Sequence, residues 1–483
     1  MDTLKDRTIS SILWKLFERG GNAIVQMAVQ IVIARLLAPE QFGMLAIMLV
    51  FVNLGDVIVR SGLNAALIQV PDITEDDCST VFWFSFAISL ILYAGVFVAA
   101  PRIAVFYSMP GLVWPLRALA LLLIINAYNA VQIAVITRAL ELRKVFTATV
   151  ASSLVSAVLG IVCAILGTGV WALVVQQLSY QLVNCVVHAL QISWHPRPVF
   201  DLSRAKILYS FGWKLLVSGL LDQGYQSLSD LLIGKVFSAS ELGLVSQGKR
   251  YPLAVGSMLD GSIQPVMLSA VSRVQDDRAH VKRLVRRALK TSTFFIAPAM
   301  TLFACCAPSL VPALLGSQWK EAVPFMQVYC MVYALLPIHT TNLQALNGMG
   351  RSDMFLRLEL VKKAYGIAVL LFCAFALNDV RALVASYLVT GVLSTFVNAW
   401  PNKRVIGYSY VEQVWDIAPA FLLSGVAAAA AGFVAAIGLG AWLTVLVQIV
   451  VFAVVYLGFA AALRLEAFTY LLRTAYDFIS GRA

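Results

Sequence analysis

Apolar blocks of roughly 20 residues follow one another along nearly the whole chain, parted only by turns as short as "GTGV" (167–170) and "LNDV" (377–380). A backbone threading so much oily sequence must satisfy its own amide groups segment by segment, and in hydrocarbon a single span does that only as a helix. With 60% of the 483 residues hydrophobic and 13% charged, the bilayer is the solvent. The expected fold is therefore an all-α polytopic membrane protein; the alternation of membrane β-strands is absent.

About fourteen spans are expected, beginning near residues 10, 41, 79, 112, 145, 169, 206, 241, 284, 321, 354, 379, 415 and 439. No break is long enough to fold as an extramembrane domain. The opening "MDTLKDRTISSILWK" lacks a cleavable leader pattern, so the first span is expected to stay. Seven cysteines, at 78, 163, 185, 305, 306, 330 and 373, show no CxxC spacing and sit mostly in apolar runs. They read as small core hydrophobes, without disulfides or metal.

Lys and Arg set the orientation. With the N-terminus in the cytoplasm, 25 cations fall on the cytoplasmic side, among them Arg143, Lys206, Lys403 and the cluster from Arg273 to Lys290. The opposite side keeps six: Arg35, Arg102, Arg117, Lys235, Lys320 and Arg381. Both termini are thus expected in the cytoplasm. This bias also accounts for most of the net charge of +11 and leaves no need for a nucleic-acid partner.

The chain repeats itself. "ARLLAPEQFGML" at 34 parallels "GKVFSASELGLV" at 234, so that Gly43 meets Gly243 at an offset of 200. Six spans per unit is an even number, which inserts both units the same way up. The expected layout is two six-helix lobes (1–200 and 201–404) in a parallel pseudo-twofold repeat, followed by an appended helix pair and tail (405–483).

Against this apolar background, polar residues gather on four spans. Asn53, Asp56, Arg60 and Asn64 fall within an arc of about 60° on span 2. Span 1 carries Arg19 and Gln26; span 7 carries Lys214, Asp222, Gln226 and Asp230; span 8 carries Lys249, Arg250 and Asp260. A charge facing lipid costs at least about 2.5–3.5 kcal/mol, so these stripes are expected to face a hydrated cleft. Cations at several depths suit an anionic group. Local pairing competes with that role: Asp56 and Arg60 are four apart, and Arg19 and Lys214 are placed to snorkel. His339 reads as a core histidine. Asp222, near the middle of its span, is expected to be desolvated and able to exchange a proton, with Asp230, Asp56 and Asp260 as further coupling candidates. A carboxylate merely hydrogen-bonded to Gln226 or Tyr225 is the plainer alternative for it.

Several stretches resemble a known family: "ARLLAPEQFGMLAI" (34–47), "GLNAALIQ" (62–69), "RALALLLIINA" (117–127), "GTGVWALVVQQL" (167–178), "LLGSQWKEAVPFMQV" (314–328) and "LNGMGRSD" (346–353). They look like the Wzx-type lipid-linked oligosaccharide flippases of the MOP superfamily, most closely the WzxC-like group, over about residues 7 to 460. The resemblance implies a bacterial inner-membrane transporter working by alternating access, without catalysis or cofactor. Its implied substrate is a polyprenyl-diphosphate-linked oligosaccharide moved to the periplasmic leaflet, for exopolysaccharide, capsule or lipopolysaccharide. A proton or sodium gradient would drive it, and a polymerase and a chain-length regulator are the implied partners. Carried over by helix, the diphosphate would meet Arg19, Arg60, Lys214 and Arg250. A MATE-like exporter of small molecules, an integral membrane glycosyltransferase or polymerase, and a non-transporting scaffold are the competing classes. Interior arginines disfavour the first, and the lack of HExxH, GxSxG or P-loop patterns disfavours the second. A scaffold would not need charged stripes.

Overall fold

The structure, a computed structural model, describes residues 25–60, 62–70 and 73–479. Among them every regular element is a helix. In order, the helices are α1 (Val25–Leu36), α2 (Pro39–Arg60), α3 (Leu63–Gln69), α4 (Glu75–Phe106), α5 (Val113–Leu119), α6 (Leu121–Arg138), α7 (Leu142–Ile165), α8 (Val170–Gln191) and α9 (Leu202–Val236). There follow α10 (Ala239–Ser272), α11 (Arg278–Leu315), α12 (Val323–Ala334), α13 (Leu336–Gly348), α14 (Ser352–Phe372), α15 (Val380–Ala399), α16 (Asn402–Val405), α17 (Tyr410–Ala435), α18 (Ala441–Ala462) and α19 (Glu466–Ile479).

Eleven helical segments among the described residues are long and apolar enough to cross a membrane. They coincide with expected spans 2 to 6 and 9 to 14. Spans 7 and 8 fall on α9 and α10, which are long enough at 35 and 34 residues but more polar. The residues that dilute them are the stripes picked out above. Span 1 is described only from Val25 onward, as α1.

Polarity is inverted relative to a soluble protein. On α18, Leu446, Val450 and Val454 lie on one exposed stripe, whereas Gln448 and Thr444 are buried. That arrangement is stable only where the surroundings are hydrocarbon.

The chain forms two compact units, the first ending at Gly243 and the second beginning at Leu244. In the first, α7 and α8 form a tight hairpin. Ser152, Ser156, Gly160 and Ala164 recur every four residues on the buried face of α7, and a Cβ on Gly160 would stand 3.0 Å from that of Gln176 on α8. Small side chains let the two backbones approach, the usual route to helix association where water cannot drive it. Thr74 starts α4 with a capping box: its hydroxyl accepts from the Asp77 amide (3.2 Å), and the Asp77 carboxylate accepts from the Thr74 amide (2.9 Å). Arg138 donates to the carbonyls of Leu67 (3.0 Å) and Val70 (2.8 Å), which closes the C-terminal end of α3.

In the second unit α11 is the hub, packed against α12, α13, α17 and α18. Ala420, Ser424, Ala427 and Ala431 give α17 a small-residue face. Its first turns are held by charge. Arg286 grips Asp416 with two bonds of 2.8 Å, Lys290 reaches the same carboxylate at 3.0 Å, and the Tyr408 hydroxyl donates to it at 2.7 Å. Lys290 also pairs with Glu466 at 2.6 Å, which ties α19 to α11.

Candidate functional site

The polar stripe of α2 is built into the first unit by α6 and α9. Asp56 accepts from Arg60 Nε at 2.7 Å through one oxygen and from Asn126 Nδ2 at 2.9 Å through the other. Local pairing of Asp56 with Arg60 is thus present, yet the Arg60 side chain remains 42% exposed. Its partner is one half-buried carboxylate, so the fork still reaches an accessible face. Asn53 on the same helix is exposed. Asn64, one turn beyond on α3, has its Oδ1 buried without a hydrogen bond among the described residues.

A backbone contact places Lys214 beside this end of α2. Gly62 takes the left-handed conformation (φ +69°), and a Cβ there would fall 2.3 Å from the Gly212 carbonyl oxygen on α9. Only glycine satisfies both demands. Arg60 and Lys214 each lie two residues from that contact, so two cations from segments far apart in sequence come to one level. Lys214 is exposed.

Further along α9, Asp222 accepts from Gln226 Nε2 at 2.7 Å. Both side chains are exposed. The helix packs on α2, α3 and α4, with Gly212 against Gly62 and Gly219 against Val57. Asp230 is half-buried. On α1, Gln26 donates to Ser153 at 3.4 Å and Gln30 to Gln176 at 3.1 Å, so these amides face α7 and α8. Arg19 lies outside the described residues.

In the second unit, Asp260 on α10 accepts from Gln264 Nε2 (2.8 Å) and from the Thr340 hydroxyl of α13. Lys249 and Arg250 are half-buried and directly precede Tyr251 and Pro252, both of which are buried. His339 accepts from Asn398 Nδ2 at 2.9 Å. Among the described residues, no group of three His, Cys, Asp or Glu could hold a metal ion.

Charge-based reading missed the uncharged part of the polar interior. In the first unit, the His188 ring donates to Asn129 Oδ1 (2.9 Å), Asn129 donates to Asn184 (3.2 Å), and Gln132 donates to the Cys185 carbonyl (3.1 Å). In the second, Asn342 bonds Gln413 and Asn402 at 2.7 and 2.5 Å. The signal was there in "NAYNAVQ" (126–132), with amides three apart on one face, but amides carry no charge and passed as neutral.

These two units share the fold of multi-helix membrane transporters. The lipid II flippase MurJ in an inward closed conformation superposes with a TM-score of 0.71 at 13% identity, over 94% of this chain and 99% of MurJ. An inward-facing MATE family multidrug resistance transporter of the MOP superfamily gives 0.58 at 15% identity, over 80% and 95%. In sequence, the chain is 24% identical over 419 residues to the succinoglycan biosynthesis transport protein ExoT of Rhizobium meliloti (strain 1021), covering 86% of this chain and 82% of ExoT. It is 23% identical over 434 residues to the lipopolysaccharide biosynthesis protein WzxC of Escherichia coli (strain K12), covering 87% and 86%. Residues 32–324 match the family of polysaccharide biosynthesis proteins, and the chain belongs to that family.

Proposed function

We propose that the protein is a flippase for a lipid-linked oligosaccharide, moving a polyprenyl-diphosphate-linked glycan from the cytoplasmic to the periplasmic leaflet during polysaccharide biosynthesis. The observation that carries this reading is the Gly62–Gly212 contact, which brings Arg60 and Lys214 to one level while both stay accessible. A guanidinium fork beside an ammonium suits a diphosphate, which needs both bidentate bonding and charge. ExoT is a succinoglycan biosynthesis transport protein, WzxC a lipopolysaccharide biosynthesis protein and MurJ a lipid II flippase, and together they support this reading. The protein itself makes and breaks no glycosidic bond.

The remaining elements belong to the same reading. Fourteen spans form two six-helix lobes, 1–200 and 201–404, in a parallel repeat, with 405–483 appended. Both termini lie in the cytoplasm of a bacterium, across its inner membrane. We assign the diphosphate and sugar to Arg60, Lys214, Asn53, Asn64, Gln26 and Gln226 in the first unit and to Lys249 and Arg250 in the second, with Arg19, outside the described residues, as a further candidate. A proton or sodium gradient drives the cycle through Asp222, Asp230, Asp56 or Asp260. A polymerase and a chain-length regulator receive the product.

The test is transport by purified protein in liposomes loaded with a lipid-linked oligosaccharide. Movement across the bilayer without any new glycosidic bond is expected. Arg60→Ala and Arg250→Ala should abolish it at normal insertion, and Arg→Lys should keep part of it. Undiminished transport by both alanine variants would remove the anion path.

A further inference from the structure

Two cavities lie side by side along α11 in the second unit and share one lining residue, Thr291. The first, about 280 Å³, opens between the early turns of α11 and the amphipathic helix α19. Its wall carries three cations, Arg287, Lys290 and Arg473, against one carboxylate, Glu466. Lys290 is spent on Glu466 and Asp416, at 2.6 and 3.0 Å. What the cavity offers a ligand is therefore the pair Arg287 and Arg473, neither of which makes an ion pair among the described residues. The Arg287 guanidinium is steadied 4.9 Å over the Tyr470 ring.

The second cavity, about 300 Å³, is of opposite character. It runs between α10 and α11, walled by Ile263, Val266, Met267, Ala288, Phe295 and Ile296. Val266 is 66% exposed and Phe295 50% exposed, so the crevice is open sideways to lipid. Along α11 the apolar lining starts at Ala288, beside the basic lining, and continues for roughly 8 Å beyond Thr291. A cationic cup that leads into an apolar slot is the negative image of an amphiphile with an anionic head. Inorganic phosphate would leave the slot empty. A zwitterionic lipid would bring its ammonium group up against the two arginines.

We propose that these cavities hold one anionic phospholipid of the surrounding leaflet, its phosphate against Arg287 and Arg473 and one acyl chain in the α10–α11 crevice. The site is separate from the polar stripes assigned to transport, and the assignment holds whatever the cargo is. The lipid would pin α19 to α11 and α10 through the membrane surface.

Native mass spectrometry of the full chain in detergent tests this, with phosphatidylglycerol, phosphatidylcholine and inorganic phosphate as probes. Phosphatidylglycerol is expected to bind at least tenfold more tightly than phosphatidylcholine. Arg287→Gln with Arg473→Gln should bring the two lipids level. Val266→Trp, which plugs the slot from an exposed rim position, should weaken phosphatidylglycerol several-fold with the arginines intact, so a folding failure of the double variant leaves a second measurement standing. Equal binding of both lipids by the unmodified protein, a lipid preference that survives loss of both arginines, or competition by inorganic phosphate at the same concentration as phosphatidylglycerol would each overturn the proposal.

Discussion

Gly43 and Gly243 occupy reciprocal positions in one contact: a Cβ on Gly43 would stand 1.8 Å from the Ala239 carbonyl oxygen, and a Cβ on Gly243 would stand 1.8 Å from that of Pro39. All four residues belong to the first compact unit, and the two glycines, like Pro39 and Ala239, stand 200 positions apart in sequence. The first turn of α2 and the first turn of α10 thus touch backbone to backbone, each using a glycine to admit the carbonyl of the other.

Replacing either glycine with alanine should therefore reverse the usual sign of such a change. In an open helix, Gly→Ala gains about 0.5–1 kcal/mol. Here the added methyl must displace a backbone carbonyl, and Gly43→Ala and Gly243→Ala should each lower the melting temperature in detergent by the equivalent of about 1–3 kcal/mol. Gly95→Ala, where a Cβ would meet nothing within 4 Å, is the control and should be neutral or stabilising.

Asp56 serves two donors, so its removal should cost more than removal of either donor. Asp56→Asn leaves the half-buried Arg60 without its counter-charge and is expected to destabilise by about 1–3 kcal/mol. Arg60→Gln should cost less, because that side chain is already 42% exposed. The double variant should fall short of the sum by at least about 0.5 kcal/mol. Strict additivity in chemical unfolding would show that the 2.7 Å pair contributes nothing to stability.

The carboxylate of Asp416 is 8% exposed and holds Arg286, Lys290 and Tyr408 together. Asp416→Asn should cost about 2 kcal/mol, less than a fully buried pair would because Arg286 is half exposed. Loss of this anchor should also quicken proteolysis at α19, since Lys290 then holds Glu466 alone. A melting temperature unchanged within error would count against the cluster as a structural lock.

For the proposed ion coupling, Asp222→Asn preserves shape and most hydrogen bonding while removing titration. Transport driven by a pH gradient in proteoliposomes should be lost while substrate binding persists. Full gradient dependence in the variant would reduce Asp222 to a partner of Gln226, and Asp230, Asp260 and Asp56 would be next.

Orientation is checked with reporter fusions. Fusions at Arg143, Arg278 and Lys403 should read cytoplasmic, and a fusion within "SASELG" (238–243) should read periplasmic. A periplasmic signal at Arg278 would invert the charge argument together with the parallel repeat.

The sequence by itself determined that the solvent is a bilayer and that the elements are helices, because hydrocarbon admits few ways to satisfy a backbone and the length of each apolar run is visible directly. It also marked α2, α9 and α10 as the helices carrying intramembrane charge, since each charge stands out against a wholly apolar background. Only the tertiary structure decided who answers those charges. Asn126 reaches Asp56 from 70 positions away, and Thr340 reaches Asp260 from 80. A hydrogen bond depends on where two helices cross, which no local pattern encodes. Tertiary packing also left Asp222 exposed and bonded to Gln226. For the same reason the head-and-tail cavity along α11 was invisible beforehand: Arg287 and Arg473 are 186 residues apart, and only the docking of α19 makes them neighbours.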